Sequence, residues 1–545
     1  MKTICRMSIA AALCLPGALA QYADLSGTVR DTTGAVVPKA AVNVVSKATG
    51  TTRTTETNEA GVYAVPSLQP GVYDVDVSAR GFKKFQRSDL RLNVGDRAEV
   101  DFTLELGATN ESVTVTADNP MVNVTETSAL GNIRSEKAIK ELPLNLRNVT
   151  KLFELAPGTV PLATQSTGLP ITQARGAALT SVNGLRGEDN NVLIEGINNT
   201  ENHNGTGVVV YPPIDALLEF KVQTSASDAQ YGRAGGAVLN LTMKSGTREF
   251  HGDVFEFWRN SAMDAKNFFD PPGKPARFIM NQFGATLGGP LMIPGIYNTD
   301  RKSTFFFVDY EGVRRTQSVT TVSTVPPPAF VQGDFSGSAS VIYDPLTTVA
   351  SGASYQRRPF PGNRIPSDRI DPVGHNIASL YPSPVLSGTA NNFVYNPVRT
   401  LATNNGDVKI DHFADEANWF TFRYSQGMTN VFEPSALPPP AVGAGPGFPG
   451  YYDQPHHQAM ASYTHTFTPA LINEFRAGYS RLNLTSRQLN YGDNLAQSLG
   501  VPGVNVPGDI STSGGLSSIA IAGYSSLGDA GYLPAIVISN NFQWN

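Results

Sequence analysis

With 545 residues, 51 glycines and 38 prolines, the chain is longer than one ordinary domain and rich in turn formers, which argues against a helical bundle. A hydrophobic content of 41% with 9% aromatics excludes wholesale disorder, and a net charge of −5 without a long basic run excludes nucleic acid as the expected partner. An antiparallel β protein with long loops fits these numbers.

Residues 1–20 read as a secretory signal. Lys2 and Arg6 supply the positive flank, 9–15 the short apolar core, and Ala18-Leu19-Ala20 a cleavage site before Gln21. That core is far shorter than the ~20 residues a spanning helix needs. Cys14 raises a lipoprotein alternative, although Ala12-Leu13 matches a lipobox poorly. Both cysteines, Cys5 and Cys14, lie in this leader, so neither disulfides nor thiolate metal sites are expected downstream. No later run of 18 apolar residues occurs, and a membrane role therefore requires a closed barrel, in which every backbone group is bonded.

Residues 22–106 predict a compact β-sandwich of short strands separated by turn signals such as Gly34 to Pro38 and Gln69-Pro70-Gly71. Tyr73, Val75 and Val77 alternate with Asp74, Asp76 and Ser78, one face apolar and one wet. The pattern resembles the carboxypeptidase regulatory-like domain, a transthyretin-like sandwich. No H-x-x-E or H-E-x-x-H occurs, and of the seven histidines only His456 and His457 are adjacent, so zinc peptidase chemistry is not expected.

The linker 107–119 carries Glu111-Ser112-Val113-Thr114-Val115-Thr116-Ala117, a short extended run. It resembles the TonB box of TonB-dependent outer-membrane receptors, the strand that pairs with the periplasmic energising protein TonB by main-chain hydrogen bonds. An ordinary last strand or linker has the same composition.

Residues 120–247 follow, with an ELPLNLRNVTKLFELAPG run in which Asn145 is the expected cap of a short helix bearing Leu146, Val149, Leu152 and Phe153, stopped by Pro157-Gly158. Next come Asn183-Gly184-Leu185-Arg186-Gly187 and 191–199, where Glu195-Gly196 sits in an acidic turn. Arg186 and Glu195 are either a buried ion pair lining a lumen or solvated. The tip 198–213, with His203 and Tyr211, is a candidate ligand-facing loop, or a bare surface loop. Tyr231-Gly232-Arg233-Ala234-Gly235-Gly236 then leads into an alternating run over 238–243, its glycines suited to positive φ and close backbone approach. The whole segment resembles the plug of TonB-dependent receptors of the Oar-like group, a domain that sits inside a large barrel.

From 248 the chain alternates apolar and polar residues. Phe420, Phe422 and Tyr424 oppose Thr421, Arg423 and Ser425; Val408 and Ile410 oppose Lys409 and Asp411; Phe475, Ala477 and Tyr479 oppose Glu474, Arg476 and Ser480. These runs predict membrane strands, apolar out and polar in. The intervening Pro- and Gly-rich stretches, such as 325–400 and 433–455, are too long for a compact soluble domain. The phrases NQFGATLGGP (281–290) and KSTFFFVDYEG (302–312) resemble the opening barrel strands of the same Oar-like transporters.

Seven clear strands are expected between 250 and 482, with weaker ones near 316–325 and 533–545; family barrels have about 22, so 248–545 is expected to be the N-terminal part of a barrel in a truncated chain. The fold class expected is thus mainly β: a transthyretin-like sandwich, an α+β plug, then part of a transmembrane antiparallel barrel. The resemblance implies a non-enzymatic outer-membrane receptor, exported through a cleaved signal, that imports a scarce small solute with energy from TonB, needs no cofactor, and contacts TonB and outer-membrane lipid. The alternative is a secreted β protein for adhesion or carbohydrate binding. No G-x-S-x-G elbow and no P-loop supports an enzyme.

Overall fold

The computed structural model describes residues 22–107, 112–116, 123–124, 130–142, 144, 147–161, 180–201, 207–225, 235–265, 275–443, 448–468 and 471–544. The N-terminal unit is a sandwich of two sheets. Its strands are β1 (Ala23–Asp31), β2 (Ala41–Ser46), β3 (Thr52–Glu56), β4 (Val62–Leu68), β5 (Gly71–Ser78), β6 (Lys84–Leu92), β7 (Arg97–Glu99), β8 (Phe102–Leu104), β9 (Ser112–Thr116) and β10 (Asn123–Val124). One sheet runs β10-β7-β1-β4, with β8 also on β1; the other runs β3-β2-β5-β6-β9. Tyr73, Val75 and Val77 are buried with Val42, Val44, Leu90 and Phe102 between the sheets, as the alternation of β5 requires. The Tyr63 hydroxyl donates to the Val100 carbonyl at 2.7 Å, so its buried polar end is bonded.

The central unit is a mixed sheet, β11-β16-β17-β14-β15, made of β11 (Leu130–Ser135), β14 (Asn191–Ile194), β15 (Ile197–Asn198), β16 (Leu217–Ser225) and β17 (Val238–Met243), beside a short pair β12 (Thr159–Pro161) and β13 (Thr180–Val182). A helix, Glu136–Glu141, and a 3₁₀ helix, Val149–Leu155, cover it. Val149, Leu152 and Phe153 are buried against Phe220, Leu239 and Leu241. The cap of that helix is Asn148, whose side chain accepts from the Thr150 amide at 3.0 Å; Asn145 and Leu146 lie outside the described residues.

The C-terminal unit is an eight-stranded antiparallel wall. Its strands are β18 (His251–Asn260), β19 (Phe278–Pro290), β20 (Thr304–Ser318), β25 (Val398–Phe413), β26 (Asn418–Glu433), β27 (Gly450–Thr468), β28 (Leu471–Arg487) and β29 (Ala535–Trp544), while β21 (Thr321–Ser323), β22 (Val349–Ser351), β23 (Ser354–Gln356) and β24 (Phe393–Tyr395) form small hairpin sheets in the long connection before β25. The weak candidate near 316–325 is therefore a loop strand, and the one near 533–545 is a wall strand.

Side chains divide as the period of two demands. Phe420 and Phe422 are 44% and 45% exposed, whereas Thr421 and Arg423 between them are 6% and 0% exposed. On the outer face Phe420 stacks on Tyr463 with centroids 4.7 Å apart, and His465 meets Phe467 edge-on, an aromatic girdle near the 414–417 turn. The connections 291–303 and 414–417 are short and share one end of the wall, where β27 also ends and β28 begins; 319–397, 434–449 and 488–534 are long and share the other. The long ones fold together around Val325, Tyr381, Phe393, Leu437, Ala441 and Leu527.

Candidate functional site

The central unit is fastened to the inner face of the wall through one tight turn. Ile194 pairs with Ile197, leaving Glu195 and Gly196 as a two-residue hairpin loop, with φ of 50° and 75°. That is the type I′ geometry, which favours Asn, Asp or Gly at both positions. Glutamate in left-handed backbone is uncommon and is held only where surroundings enforce it. Here they do: the Glu195 carboxylate forms a salt bridge with Lys409 and sits 3.1 Å from Arg423 Nε.

Lys409 of β25 and Arg423 of β26 are direct register partners, both aimed inward. Like charges opposite each other on neighbouring strands repel, and burial magnifies the cost. Glu195 enters between them and bonds both, offsetting part of their repulsion. Burial works to raise the Glu195 carboxyl, but the Lys409 and Arg423 cations outweigh it and hold it below its usual range. Arg423 also donates to Gln458 Oε1 at 2.7 Å, and Gln458 Nε2 donates to the Asn198 carbonyl at 3.2 Å. From β29, Gln543 Nε2 donates to the Gly196 carbonyl at 3.1 Å and its Oε1 accepts from the Asn198 amide at 3.0 Å. Four wall strands thus grip one hairpin.

Arg186 is not the partner of Glu195. It is exposed, and its amide bonds Asp189 Oδ2 at 3.0 Å across the turn after Gly187. Asn183 and Gly184 form a second tight turn with φ of 52° and 80°, and the Asn183 side chain donates to the Thr224 carbonyl at 2.6 Å. Gly235 and Gly236 do not take positive φ as expected. Close approach, however, does explain Gly236: a Cβ there would fall 2.5 Å from Asn190 Oδ1, the atom that accepts from the Ala237 amide. Tyr231, Gly232 and His203 lie outside the described residues, as do Glu111 and Ala117.

Toward the long loops, a cavity of ≈ 80 Å³ separates the central unit from the wall, bordered by Arg147, Tyr211, Gln282, Glu311, Arg315 and Asn405. Arg147 is ion-paired with Asp215, and Gln282 donates to Glu311 at 2.9 Å. At the short-turn end a larger cavity of ≈ 710 Å³ lies among sandwich, central unit and wall. There Lys244 and Lys140 converge on Glu136 at 2.8 Å and 3.3 Å, and Lys140 reaches Asp253 of β18 at 3.0 Å.

The sandwich closes this end. Tyr22 meets Trp419 edge-on at 5.7 Å, the Arg53 guanidinium lies 4.3 Å above the same indole, and Arg53 donates to the Glu416 carbonyl. The Val94 amide donates to Glu219 at 3.1 Å and Lys221 donates to the Val94 carbonyl at 2.8 Å, joining sandwich to central unit. The segment 112–116 forms β9, the edge of a sandwich sheet, pairing parallel with β6 in the register Lys84↔Ser112 to Ser88↔Thr116. Sequence reasoning missed Lys409, Arg423, Gln458 and Gln543 as a set; the inward phase was visible at Lys409 and Arg423, the common target was not.

No group of three or more metal-ligating side chains occurs among the described residues. No helix is long and apolar enough to cross a membrane, which says nothing of a β-barrel.

Comparison with known proteins matches residues 242–545 to the outer membrane beta barrel domain and residues 24–105 to the carboxypeptidase regulatory-like domain. The chain is 28% identical over 294 residues to the TonB-dependent transporter Oar of Myxococcus xanthus, which covers 50% of this chain and 26% of that protein. It therefore spans about a quarter of the length of this curated relative. Among solved structures it is similar to the outer membrane transporter YddB from Escherichia coli, with a TM-score of 0.41 and 13% identity over 66% of this chain and 39% of that one. A ferric enterobactin receptor from Pseudomonas aeruginosa gives a TM-score of 0.38 and 12% identity over 66% of this chain and 41% of the other. With its inward-polar, outward-apolar wall and a family match over more than half its length, the chain belongs to the outer membrane beta barrel domain family.

Proposed function

We propose that this chain acts in a TonB-dependent outer-membrane receptor that captures and imports a scarce solute and catalyses no reaction. In this reading residues 1–20 are a cleaved export signal, 22–106 the regulatory-like sandwich, 107–119 a linker holding the TonB-contacting run 111–117, 120–247 the plug, and 248–545 barrel wall. The observation that carries it is the seating of Glu195 between Lys409 and Arg423. A wall that aims two adjacent cations inward is itself unfavourable, and the central unit supplies an anion that bonds both. Wall and plug are thus built for each other, as a corked receptor requires. The polar inner face, the aromatic girdle and the likeness to the Myxococcus xanthus transporter support the same reading.

The solute would be met at the long-loop side, where Tyr211 borders the cavity above the plug and His203 belongs to the same connection. The pull would be applied at the short-turn end, where 112–116 lies. In-cell cross-linking tests this: a Val113→Cys chain expressed with a Cys-substituted TonB should give a disulfide adduct in the outer-membrane fraction. Recovery of the chain as soluble periplasmic protein, or a membrane-embedded chain with no adduct, would count against the reading.

A further inference from the structure

We infer that the regulatory-like sandwich is the platform on which the TonB strand docks: the partner adds to the outer edge of β9 while β9 stays paired to β6. The inference rests on the reading of 111–117 as the TonB-contacting run, and goes beyond it by assigning the sandwich a part in the contact.

The two edges of this sheet differ. At one end is β3, whose sequence Thr-Arg-Thr-Thr-Glu carries charges at Arg53 and Glu56, and whose Arg53 is engaged with the barrel turn at Glu416 and Trp419. Charge and cover are the usual ways a native edge is kept from recruiting another strand. At the other end is β9, Ser-Val-Thr-Val-Thr, with no charge, no proline and no glycine, and among the described residues its partner is β6 alone. A strand bonded along one side presents its remaining amides and carbonyls along the other. Four consecutive residues of strong β propensity, Val113 to Thr116, on an edge with no second partner among the described residues form a template for one more strand.

Location selects the occupant. The sandwich sits at the end of the wall with the short turns, where Arg53 and Tyr22 reach Trp419. In outer-membrane barrels that end faces the periplasm, so an extended segment of a periplasmic protein is what this edge meets. Holding β9 against β6 also removes its conformational freedom before the partner arrives, which lowers the cost of association. Downstream, the chain runs through β10, bonded to β7, and then into β11 of the plug sheet. Tension on β9 would therefore load the sandwich before it reaches the plug.

A reversible cross-link tests this. Gln86 and Thr114 are register partners on β6 and β9; adjacent strands lie about 4.8 Å apart, within disulfide span. No cysteine follows Cys14 in the sequence, so the pair Gln86→Cys and Thr114→Cys has no competing thiol downstream. The full chain in detergent is titrated with the purified periplasmic domain of TonB, oxidised and then reduced. Binding within about twofold in the two states is expected. A tenfold or greater loss on oxidation, restored by reductant, would mean that β9 must leave β6 to bind, and would overturn the platform; so would failure of the disulfide to form. A Val113→Pro, Val115→Pro chain separates the underlying reading: if it binds TonB as tightly as the parent, 111–117 is not the contact, whatever the cross-link does.

Discussion

Arg423 Nε lies 3.1 Å from Glu195 Oε2, and neither side chain has more than a trace of exposure. The two residues come from different units, 228 positions apart. Removing the anion breaks two buried ion pairs at once and leaves Lys409 beside Arg423, which costs about 3–5 kcal/mol. Glu195→Gln is expected to loosen the plug without unfolding the wall. Limited proteolysis between residues 130 and 243 should accelerate while heat-modifiability of the barrel persists. Adding Lys409→Met should recover part of the loss, because the two changes share one interaction. Strict additivity would show that the pair does not couple.

Sandwich and central unit meet at Glu219, and this contact is expected to respond to pH. Burial pushes its carboxyl up from 4.5 to about 7, against the Val94 amide that bonds it, with Asp96 adding to the rise and Lys221 and Arg91 opposing it. The folded group holds its proton more tightly than the unfolded one. Stability is therefore fully present below pH 4.5, falls as pH rises from 4.5 to about 7, and levels off above. The span amounts to roughly 3 kcal/mol. The thermal midpoint of the sandwich–plug unit should drop between pH 5 and pH 8, and Glu219→Gln should flatten the profile. A wild-type midpoint that climbs over this interval would sink the assignment.

Inside the wall, Asp309 of β20 and Asp407 of β25 are register partners, both buried on the lumen face. Two carboxyl groups facing each other in a buried ladder cannot both ionise without repulsion, which weakens the strand pair. Asp309→Asn is expected to stabilise the wall by roughly 1 kcal/mol, read as a higher temperature for the heat-modifiable band shift. A lower temperature would indicate that the aspartates serve as a bonded pair.

The outer face should discriminate by depth. Phe422→Arg places a cation among lipid tails just inside the girdle and is expected to cost about 1–3 kcal/mol, between the interfacial and midplane values. Tyr532→Arg, in a long connection and 76% exposed, should change stability little. Equal effects of the two on detergent-to-bilayer refolding would contradict the assignment of β26's outward face to lipid.

Much of the architecture was legible in the chain itself. A period of two separates Phe420, Phe422 and Tyr424 from Thr421, Arg423 and Ser425 whatever the neighbours are, because successive side chains of any strand point to opposite faces. The same rule placed Tyr73, Val75 and Val77 in the sandwich core. The acidic turn at Glu195-Gly196 was also readable, since its backbone signs follow from a two-residue hairpin. Local competition was less readable: Asn148 is the observed cap of the 149–155 helix, and an asparagine at 145 or 148 fits the composition of a helix start equally.

Tertiary structure alone decided what these residues meet. The sequence placed an anion at 195 and cations at 186, 409 and 423, and proximity along the chain favoured Arg186; the fold chose Lys409 and Arg423 instead. Likewise 112–116 reads as an extended run in either case, and only the sheet shows it lying on β6. The reason is physical. Strand phase and turn geometry are set by bonds and sterics within a few residues, so they are written locally. Which charge neutralises which depends on where a hairpin enters a wall whose register is fixed by some fifteen residues of ladder on each side, and no short window of sequence contains that information.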